Sequence, residues 1–258
     1  MTDRLLEAAL DAARTAGTIA LRYFRTDVRV MQKADHTPVT QADQEAEVAI
    51  VERLRAAFPD IGFLGEEYGA QGGQSRRWII DPIDGTKNFV RGIPYWATLL
   101  GLEEDGEITL GVVHAPATGE LYWARRGQGA WLDGAPLRVS AVGQLRDAMM
   151  THSSLNLLRS LDGGRLWGGF VRLVDRTDRQ RGFGDYFGYT FVLRGQAEIM
   201  LEADVKPWDI APFKILFEEA GGRFTDLAGQ PTIYSGSALA TNGRLHDEAL
   251  ALLHGTAD

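Results

Sequence analysis

Two aspartates that are three positions apart follow an apolar run and stand directly before a Gly-Thr step. The run is Trp78-Ile79-Ile80, the aspartates are Asp81 and Asp84, and Gly85 and Thr86 come next. Carboxylates at the end of a strand form sites for hard divalent cations. A glycine-led turn that opens a helix presents backbone N–H groups to a phosphate. Metal and phosphate sites in one turn indicate metal-assisted attack on a phosphate ester.

A structural reading of the same segment is a buried strand that ends in a turn, with Asp84 as the cap of the next helix. Asp81-Pro82 and Asp84-Gly85 are both common turn dipeptides. Two such dipeptides overlap here, and the acidic pair Glu66-Glu67 precedes them by one short loop. This combination favours the chemical reading over the structural one.

The composition is typical of a globular protein with a full core. The chain has 258 residues, of which 45% are hydrophobic and 24% are charged. The net charge of −8 argues against a nucleic-acid partner, which would require a basic face. It does not exclude an anionic substrate, because a bound metal reverses the local sign. Cysteine is absent, so disulfides and thiolate metal sites are excluded.

The N-terminal segment, residues 1–10, is polar and amphipathic and does not have the form of a signal peptide. No apolar run approaches the ~18 residues that a membrane span requires. We therefore expect a cytoplasmic protein without a membrane partner.

The residue pattern predicts helices, strands and one domain. Two N-terminal helices are expected over residues 3–25 and 41–57, the second with Thr40 and Asp43 in a capping box. Residues 69–75 are expected to form a mobile loop. Strands are predicted around 61–64, 98–102, 108–114, 121–125, 129–132, 148–152, 170–173, 197–201 and 222–226, and further helices over 155–161, 186–193 and 207–219. This order favours a layered α/β architecture in a single domain, 1–258, with lobes at about 1–145 and 146–258.

A metal-dependent phosphatase needs carboxylates from separate segments that converge on one point. Besides residues 81–86, the candidate segments are Lys33 with Pro38 to Asp43, Gly65-Glu66-Glu67, Arg181 to Asp185, and Pro207 to Ala211, which contains Asp209. In order and spacing these five segments resemble the motifs of the inositol monophosphatase family, and the resemblance covers about residues 5–245. It implies an α+β fold, a layered αβαβα sandwich of the inositol monophosphatase and fructose-1,6-bisphosphatase type. It also implies a homodimer and a Mg²⁺-dependent phosphatase for small phosphate monoesters.

The resemblance also implies the metal ligands. A first metal would be held by Glu66, Asp81 and the backbone carbonyl of Ile83. A second would be held by Asp81, Asp84 and Asp209, with Asp81 shared between the two. A third, weaker metal at Glu66 would carry the attacking water, so that the site would bind two or three Mg²⁺ ions.

By the same resemblance, Thr86 and Asp43 would orient and deprotonate the water, and the N–H groups of Gly85 and Thr86 would bind the phosphate. Each assignment has a structural alternative. Asp43 can be a capping-box acid, Asp209 an acid favoured at a helix start, and Thr86 an ordinary first-turn residue. Lys33 can be a surface residue. His114 and His152 are interpreted as structural, because hard-cation sites seldom use imidazole.

Two departures from the inositol phosphatase pattern concern the substrate. Asp185 follows Arg181-Gly182-Phe183-Gly184 where inositol phosphatases usually have a small or hydroxyl residue, and Glu202 precedes the Lys206 to Asp209 segment. Both features resemble the histidinol-phosphate phosphatase branch of the superfamily. Because histidinol phosphate carries an ammonium group and an imidazole, Asp185 and Glu202 are predicted to bind it. The alternative for Asp185 is a cap of the helix at Tyr186.

Other functions stay open at this stage. An inositol-1-phosphatase or a broad sugar-phosphate phosphatase would use the same metal and phosphate groups. A catalytically silent protein that binds metal and phosphate belongs to another class. The intact set of Glu66, Asp81, Asp84, Thr86 and Asp209 argues against it, because a disused site is expected to lose a ligand.

Overall fold

The computed structural model describes residues 3–27, 30–32 and 38–256. Eight α-helices lie within these ranges. The helices are Arg4–Tyr23 (α1), Gln41–Ala57 (α2), Thr86–Val90 (α3), Leu155–Ser160 (α4), Arg165–Arg176 (α5), Asp185–Leu193 (α6), Pro207–Ala220 (α7) and His246–His254 (α8). No helix in these ranges is long and apolar enough to cross a membrane.

The strands form two large sheets and one short hairpin. They are Val30–Gln32 (β1), Pro38–Thr40 (β2), Gly62–Gly65 (β3), Gly69–Gln71 (β4), Arg76–Asp84 (β5), Ala97–Glu104 (β6), Glu107–Ala115 (β7), Glu120–Arg125 (β8), Ala130–Leu132 (β9), Ala135–Pro136 (β10), Met149–His152 (β11), Arg179–Arg181 (β12), Ile199–Ala203 (β13), Arg223–Thr225 (β14) and Ser237–Thr241 (β15). The eight-stranded sheet has the order β10-β9-β8-β7-β6-β5-β3-β4, and the five-stranded sheet has the order β12-β11-β13-β15-β14. In the larger sheet only β3 and β5 are parallel.

Five layers result from the way the helices cover these sheets. Helices α1 and α2 pack on one face of the eight-stranded sheet, and α7 packs on its other face. Helices α6 and α7 also contact the five-stranded sheet, so they form the central layer. Helices α4, α5 and α8 cover the outer side of the five-stranded sheet. The layers therefore run helix, sheet, helix, sheet, helix, which confirms the predicted α+β αβαβα sandwich.

The start of α2 confirms the predicted capping box. The Thr40 N–H donates to Asp43 Oδ2 over 2.8 Å, and Thr40 Oγ1 accepts from the Ala42 N–H over 3.1 Å. Two backbone donors at the helix end are satisfied in this way, which fixes where α2 begins. The same contacts hold the Asp43 carboxylate in a buried position below the cavity described next.

Three features of the fold differ from the sequence prediction. Residues 170–173, predicted as a strand, lie within α5, where Trp167, Phe170 and Leu173 follow a helical spacing on one face. Part of the predicted loop 69–75 is strand β4, which pairs with β3. Strands β1, β2, β10, β12 and β15 and helix α8 were not predicted. Strand β15 is buried on both sides and consists mostly of small residues, so it shows no alternation.

Candidate active site

A cavity of about 540 Å³ opens where the two sheets meet across the central helices. Its walls come from the end of β5 and α3 on one side and from β11, β13 and the first turns of α6 and α7 on the other. Carboxylates from both halves of the chain line it, namely Glu66, Asp81, Asp84, Asp185, Glu202, Asp204 and Asp209. Four of the five segments that the sequence singled out thus converge on this cavity.

A bulge at the end of β5 directs two aspartates to the same side. Asp81 pairs with Leu99 and Asp84 pairs with Ala97, so a step of three residues on β5 faces a step of two on β6. In a regular strand, residues three apart point to opposite faces. The extra residue in β5 turns the Asp84 side chain back to the face on which Asp81 lies. Both carboxylates are buried and point towards the cavity.

Carboxylate oxygens of Asp81, Asp84 and Asp209 all lie within 4.8 Å of one another. Burial, with the charges of Glu66, Asp84 and Asp209, raises the pKa of Asp81 well above its ordinary value. Burial likewise raises the pKa of Asp209 to about 7. These hard oxygen donors and their uncompensated charge fit divalent cations such as Mg²⁺. Glu66 and Ile83 line the same cavity, so the predicted ligands are all brought together.

Backbone donors fix two of these carboxylates. Asp84 Oδ2 accepts from the Tyr186 N–H over 2.6 Å, which ties the end of β5 to the first turn of α6. Asp209 Oδ2 accepts from the Lys206 N–H over 2.7 Å at the start of α7. Asp209 is therefore both a helix-start acid and a member of the carboxylate cluster, because its two oxygens can serve different partners.

Glu47, which the sequence analysis missed, positions the Glu66 loop. Its carboxylate accepts from the Glu67 N–H over 2.9 Å and from the Tyr68 N–H over 3.1 Å. A Cβ atom on Gly65 would clash with Glu47 Oε1, so a larger residue there would displace the Glu47 carboxylate. Glu47 is four residues after Asp43 on α2, and this helical spacing is the signal that could have identified it.

The turn after Asp84 places Thr86 close to Asp43. Gly85 has φ +82°, a left-handed conformation that suits glycine, and α3 follows with only five residues. Thr86 Oγ1 lies 3.0 Å from the Ile83 carbonyl, to which it donates, and 3.5 Å from Asp43 Oδ1. Burial raises the pKa of Asp43 to about 7. Asp43 is thus a capping-box acid, as in the structural alternative, and also a neighbour of Thr86.

Asp185 and Glu202 form a second pair of acids beside the cluster. The Asp185 N–H donates to Glu202 Oε1 over 3.2 Å, and Asn88 Nδ2 donates to Asp185 Oδ2 over 3.0 Å. Gly184 is the N-cap residue of α6, so Asp185 is not the cap that the structural alternative required. Asp185 has φ +54°, an uncommon conformation for a residue with a side chain. Burial raises the pKa of Glu202 to about 8.

The sequence analysis also discussed Lys33, His114 and His152. Lys33 lies outside the described residues. His114 is remote from the cavity, and its Nδ1 atom lies 3.0 Å from the Ala13 carbonyl oxygen. His152 lines the cavity, although its Nδ1 atom is hydrogen-bonded to the Ser153 carbonyl over 2.8 Å.

The raised pKa values predict that stabilisation by Mg²⁺ depends on pH. In metal-free protein the folded-state pKa of Asp209 is raised to about 7 from 3.8, so stability is greatest below the ordinary carboxyl pKa and falls as pH rises through 7. Saturating Mg²⁺ should raise the melting temperature by about 5–10 °C at about pH 8. The gain in melting temperature should be smaller near about pH 6, because Mg²⁺ must first displace protons from the carboxyl groups. Thermal melts with and without Mg²⁺ measure this, and an equal gain at both pH values would contradict it.

The fold and the site together define the class of the protein, an α+β phosphatase for phosphate monoesters with an acidic cluster suited to a metal. The sequence pattern of the inositol monophosphatase family matches residues 1–256. The chain belongs to the inositol monophosphatase family.

The similar proteins include histidinol-phosphatases. The chain is 43% identical over 258 residues to a histidinol-phosphatase of Mycobacterium tuberculosis, covering 98% of each chain. It is 43% identical over 260 residues to a histidinol-phosphatase of Streptomyces coelicolor, covering 97% of this chain and 96% of the other. The crystal structure of the extragenic suppressor protein suhB of Bartonella henselae superimposes with a TM-score of 0.89, at 30% identity, over 97% of this chain and 98% of the other.

Proposed function

We propose that this protein hydrolyses histidinol phosphate to histidinol and phosphate, a step of histidine biosynthesis, and that it does so with Mg²⁺. The observation that carries the proposal is the second acid pair, the partly buried Asp185 and the buried Glu202, beside the cluster of Asp81, Asp84 and Asp209. A substrate with a cationic amine and an imidazole complements such a pair. The names of the two bacterial relatives support the same substrate.

The proposed metal ligands are the carboxylates of the cavity and one carbonyl oxygen. Glu66, Asp81 and the Ile83 carbonyl would hold one Mg²⁺, and Asp81, Asp84 and Asp209 would hold another. Bound there, the ions would supply Lewis-acid stabilisation of the phosphoryl group and would lower the pKa of a water molecule. Glu66 would also provide the weaker third site.

The chain's own groups complete the proposed reaction. The N–H groups of Gly85 and Thr86 bind the phosphate at the turn, where the backbone is held by the bulge before it. The Thr86 hydroxyl orients the attacking water, and Asp43 accepts its proton. The raised pKa of Asp43, about 7, suits a general base that works near neutrality. Attack by water in a single displacement requires no nucleophilic side chain, in accord with the absence of cysteine.

The substrate assignment predicts a change in specificity on Asp185→Asn. Asparagine tolerates the positive φ of this position, so the turn is expected to persist. Loss of the charge should lower kcat/KM for histidinol phosphate by about 10- to 100-fold, the value of one charge-assisted hydrogen bond. Hydrolysis of inositol 1-phosphate should change little.

A matched control for this change is Asp204→Asn. Asp204 also has a positive φ, 60°, and also lines the cavity, but its side chain is exposed. This variant should keep the wild-type ratio of the two substrates. If Asp185→Asn lowers kcat/KM equally for both substrates, Asp185 does not recognise histidinol phosphate. The proposal would then be reduced to a metal-dependent phosphatase of unassigned substrate.

Two alternatives are separated by simple assays. Rates of hydrolysis are compared on histidinol phosphate, inositol 1-phosphate and fructose 1,6-bisphosphate. An inositol-1-phosphatase would prefer inositol 1-phosphate, and a broad sugar-phosphate phosphatase would not prefer histidinol phosphate. A catalytically silent metal-binding protein would release no phosphate from any of these esters. The carboxylate oxygens of Asp81, Asp84 and Asp209 lie close together, and backbone N–H groups hold Asp84 and Asp209 in place. This order favours a catalytic site over a silent one.

We also propose that the chain acts as one phosphatase domain with two lobes, at about 1–145 and 146–258, as a cytoplasmic homodimer. The acids of the cavity come from both lobes, and one apolar core contains residues of both, such as Leu99 and Phe213. Sedimentation of the purified protein tests the dimer.

A further inference from the structure

A row of aromatic rings forms one wall of the active-site cavity, and its outermost ring is Tyr95. The rings of Tyr95 and Phe187 are stacked with their centroids 3.9 Å apart and an interplanar angle of 16°. Phe183 contacts Phe187 edge-on at 5.4 Å. All three side chains line the cavity. The wall is therefore continuous from α6 to the segment that follows α3.

Tyr95 is not a core residue. Its side chain is 38% exposed, and it belongs to none of the apolar clusters of the described core. Phe187, in contrast, packs partly against the central layer and supports Tyr95 from behind. A large exposed ring, stacked on a partly buried one beside a carboxylate cluster, is suited to contact with a ligand.

One amide joins the Tyr95 backbone to the carboxylate proposed to bind the substrate. Asn88 Nδ2 donates to the Tyr95 carbonyl over 2.9 Å and to Asp185 Oδ2 over 3.0 Å. A Cβ atom on Gly85 would lie 3.0 Å from the Tyr95 carbonyl and 3.5 Å from Asp185 Oδ2. The phosphate turn, the Tyr95 backbone and the acid are thus adjacent, and Asn88 links the last two.

This arrangement restricts what the organic part of the substrate can be. We expect a substrate whose phosphate lies at Gly85 and whose other end reaches Asp185 to pass Tyr95, because its ring lines the same cavity. An aromatic face attracts flat rings and cations, while a carboxylate accepts hydrogen bonds from ring N–H groups. A polyol would leave several hydroxyls without partners against such a wall.

We propose that Tyr95, stacked on Phe187, is the surface on which a planar nitrogen-containing ring of the substrate lies, with Asp185 at the edge of that ring. This inference rests on the proposed function and deepens it, since it assigns the contact for the imidazole of histidinol phosphate. Tyr95 thereby selects ring-bearing phosphate esters over open-chain amines and polyols.

The direct test is binding of histidinol to the protein in Mg²⁺ and inorganic phosphate, measured by calorimetry. Tyr95→Leu removes the aromatic face but keeps the carbonyl that Asn88 binds. It should raise the Kd of histidinol by about 5- to 30-fold. Tyr95→Phe keeps the ring and should bind as the wild type does. Tyr234→Leu changes a tyrosine of similar exposure, 48%, outside the active-site cavity and should also bind normally.

A second measurement separates ring recognition from damage to the site. The ratio of kcat/KM for histidinol phosphate to that for 2-aminoethyl phosphate, which has the amine but no ring, should fall by the same factor in Tyr95→Leu. Tyr95→Met should repeat this result. Equal losses on both esters, or a loss of binding in Tyr95→Phe, would overturn the proposal.

Two further outcomes also count against it. An unchanged ratio together with altered sedimentation of Tyr95→Leu would assign the rings to contact with a second copy of the chain. A wild-type protein that shows no preference for the ring-bearing ester would refute the proposed substrate, and the ring contact with it. If the wild type prefers histidinol phosphate and Tyr95→Leu keeps that preference, only the ring contact is wrong.

Discussion

Asp81→Asn is expected to lower Mg²⁺-dependent kcat/KM by about 10³-fold or more, because loss of shared metal binding removes several kcal/mol of transition-state stabilisation. Asp81 is the central acid of the cluster, with Glu66, Asp84 and Asp209 around it. In the wild type the Ile83 N–H donates to Asp81 Oδ1 over 2.9 Å. Asparagine keeps the shape of the side chain and an oxygen acceptor for this N–H. Steady-state kinetics over a range of Mg²⁺ concentrations measures the effect.

The same variant should melt at a higher temperature than the wild type when metal is removed at about pH 8, because the buried charge and its repulsion are gone. Activity and metal-free stability are thus expected to change in opposite directions, which simple misfolding cannot produce. Glu198→Gln is a suitable control. Glu198 is also a buried acid, but it binds the Met149 N–H in the five-stranded sheet. Near-normal turnover of Asp81→Asn at ordinary Mg²⁺ would disprove the two-metal assignment.

The parts of the site that the sequence predicted are set by local chemistry. The capping box of Thr40 and Asp43 involves residues three apart, and the structure confirms it. The Gly85 turn follows from a residue that accepts positive φ. The layered fold was predicted by resemblance and by the order of helices and strands, and the order of the two sheets confirms it.

The parts that the sequence did not predict depend on contacts between distant segments. The spacing of Asp43 and Glu47 places both on one face of α2, but it does not show that this face lies against the end of β3, where Glu47 reaches the loop at Gly65. The bulge in β5 reverses the direction that alternation assigns to Asp84. Tyr95 was given no role, since its position beside Asp185 depends on the meeting of the two lobes.

The proton-transfer assignment predicts a large loss of kcat in Thr86→Val. Valine matches threonine in shape but lacks the hydroxyl that lies 3.5 Å from Asp43 Oδ1. Loss of an oriented general-base contact should lower kcat by about 10²-fold or more, with a smaller change in KM, because the water is affected more than the bound phosphate. Rates at saturating substrate and Mg²⁺ give this value directly.

Asp43→Asn distinguishes the catalytic role of Asp43 from its role as a helix cap. If Asp43 only caps α2, the variant should lose stability while kcat stays near that of the wild type. If Thr86 and Asp43 act as one unit, either single change should lower kcat about as much as both together. Thermal melts and kcat of the two single variants and the double variant supply the comparison. Losses of kcat that multiply in the double variant would show that the two residues act independently, and the proposed transfer of the water's proton to Asp43 through this pair would be wrong.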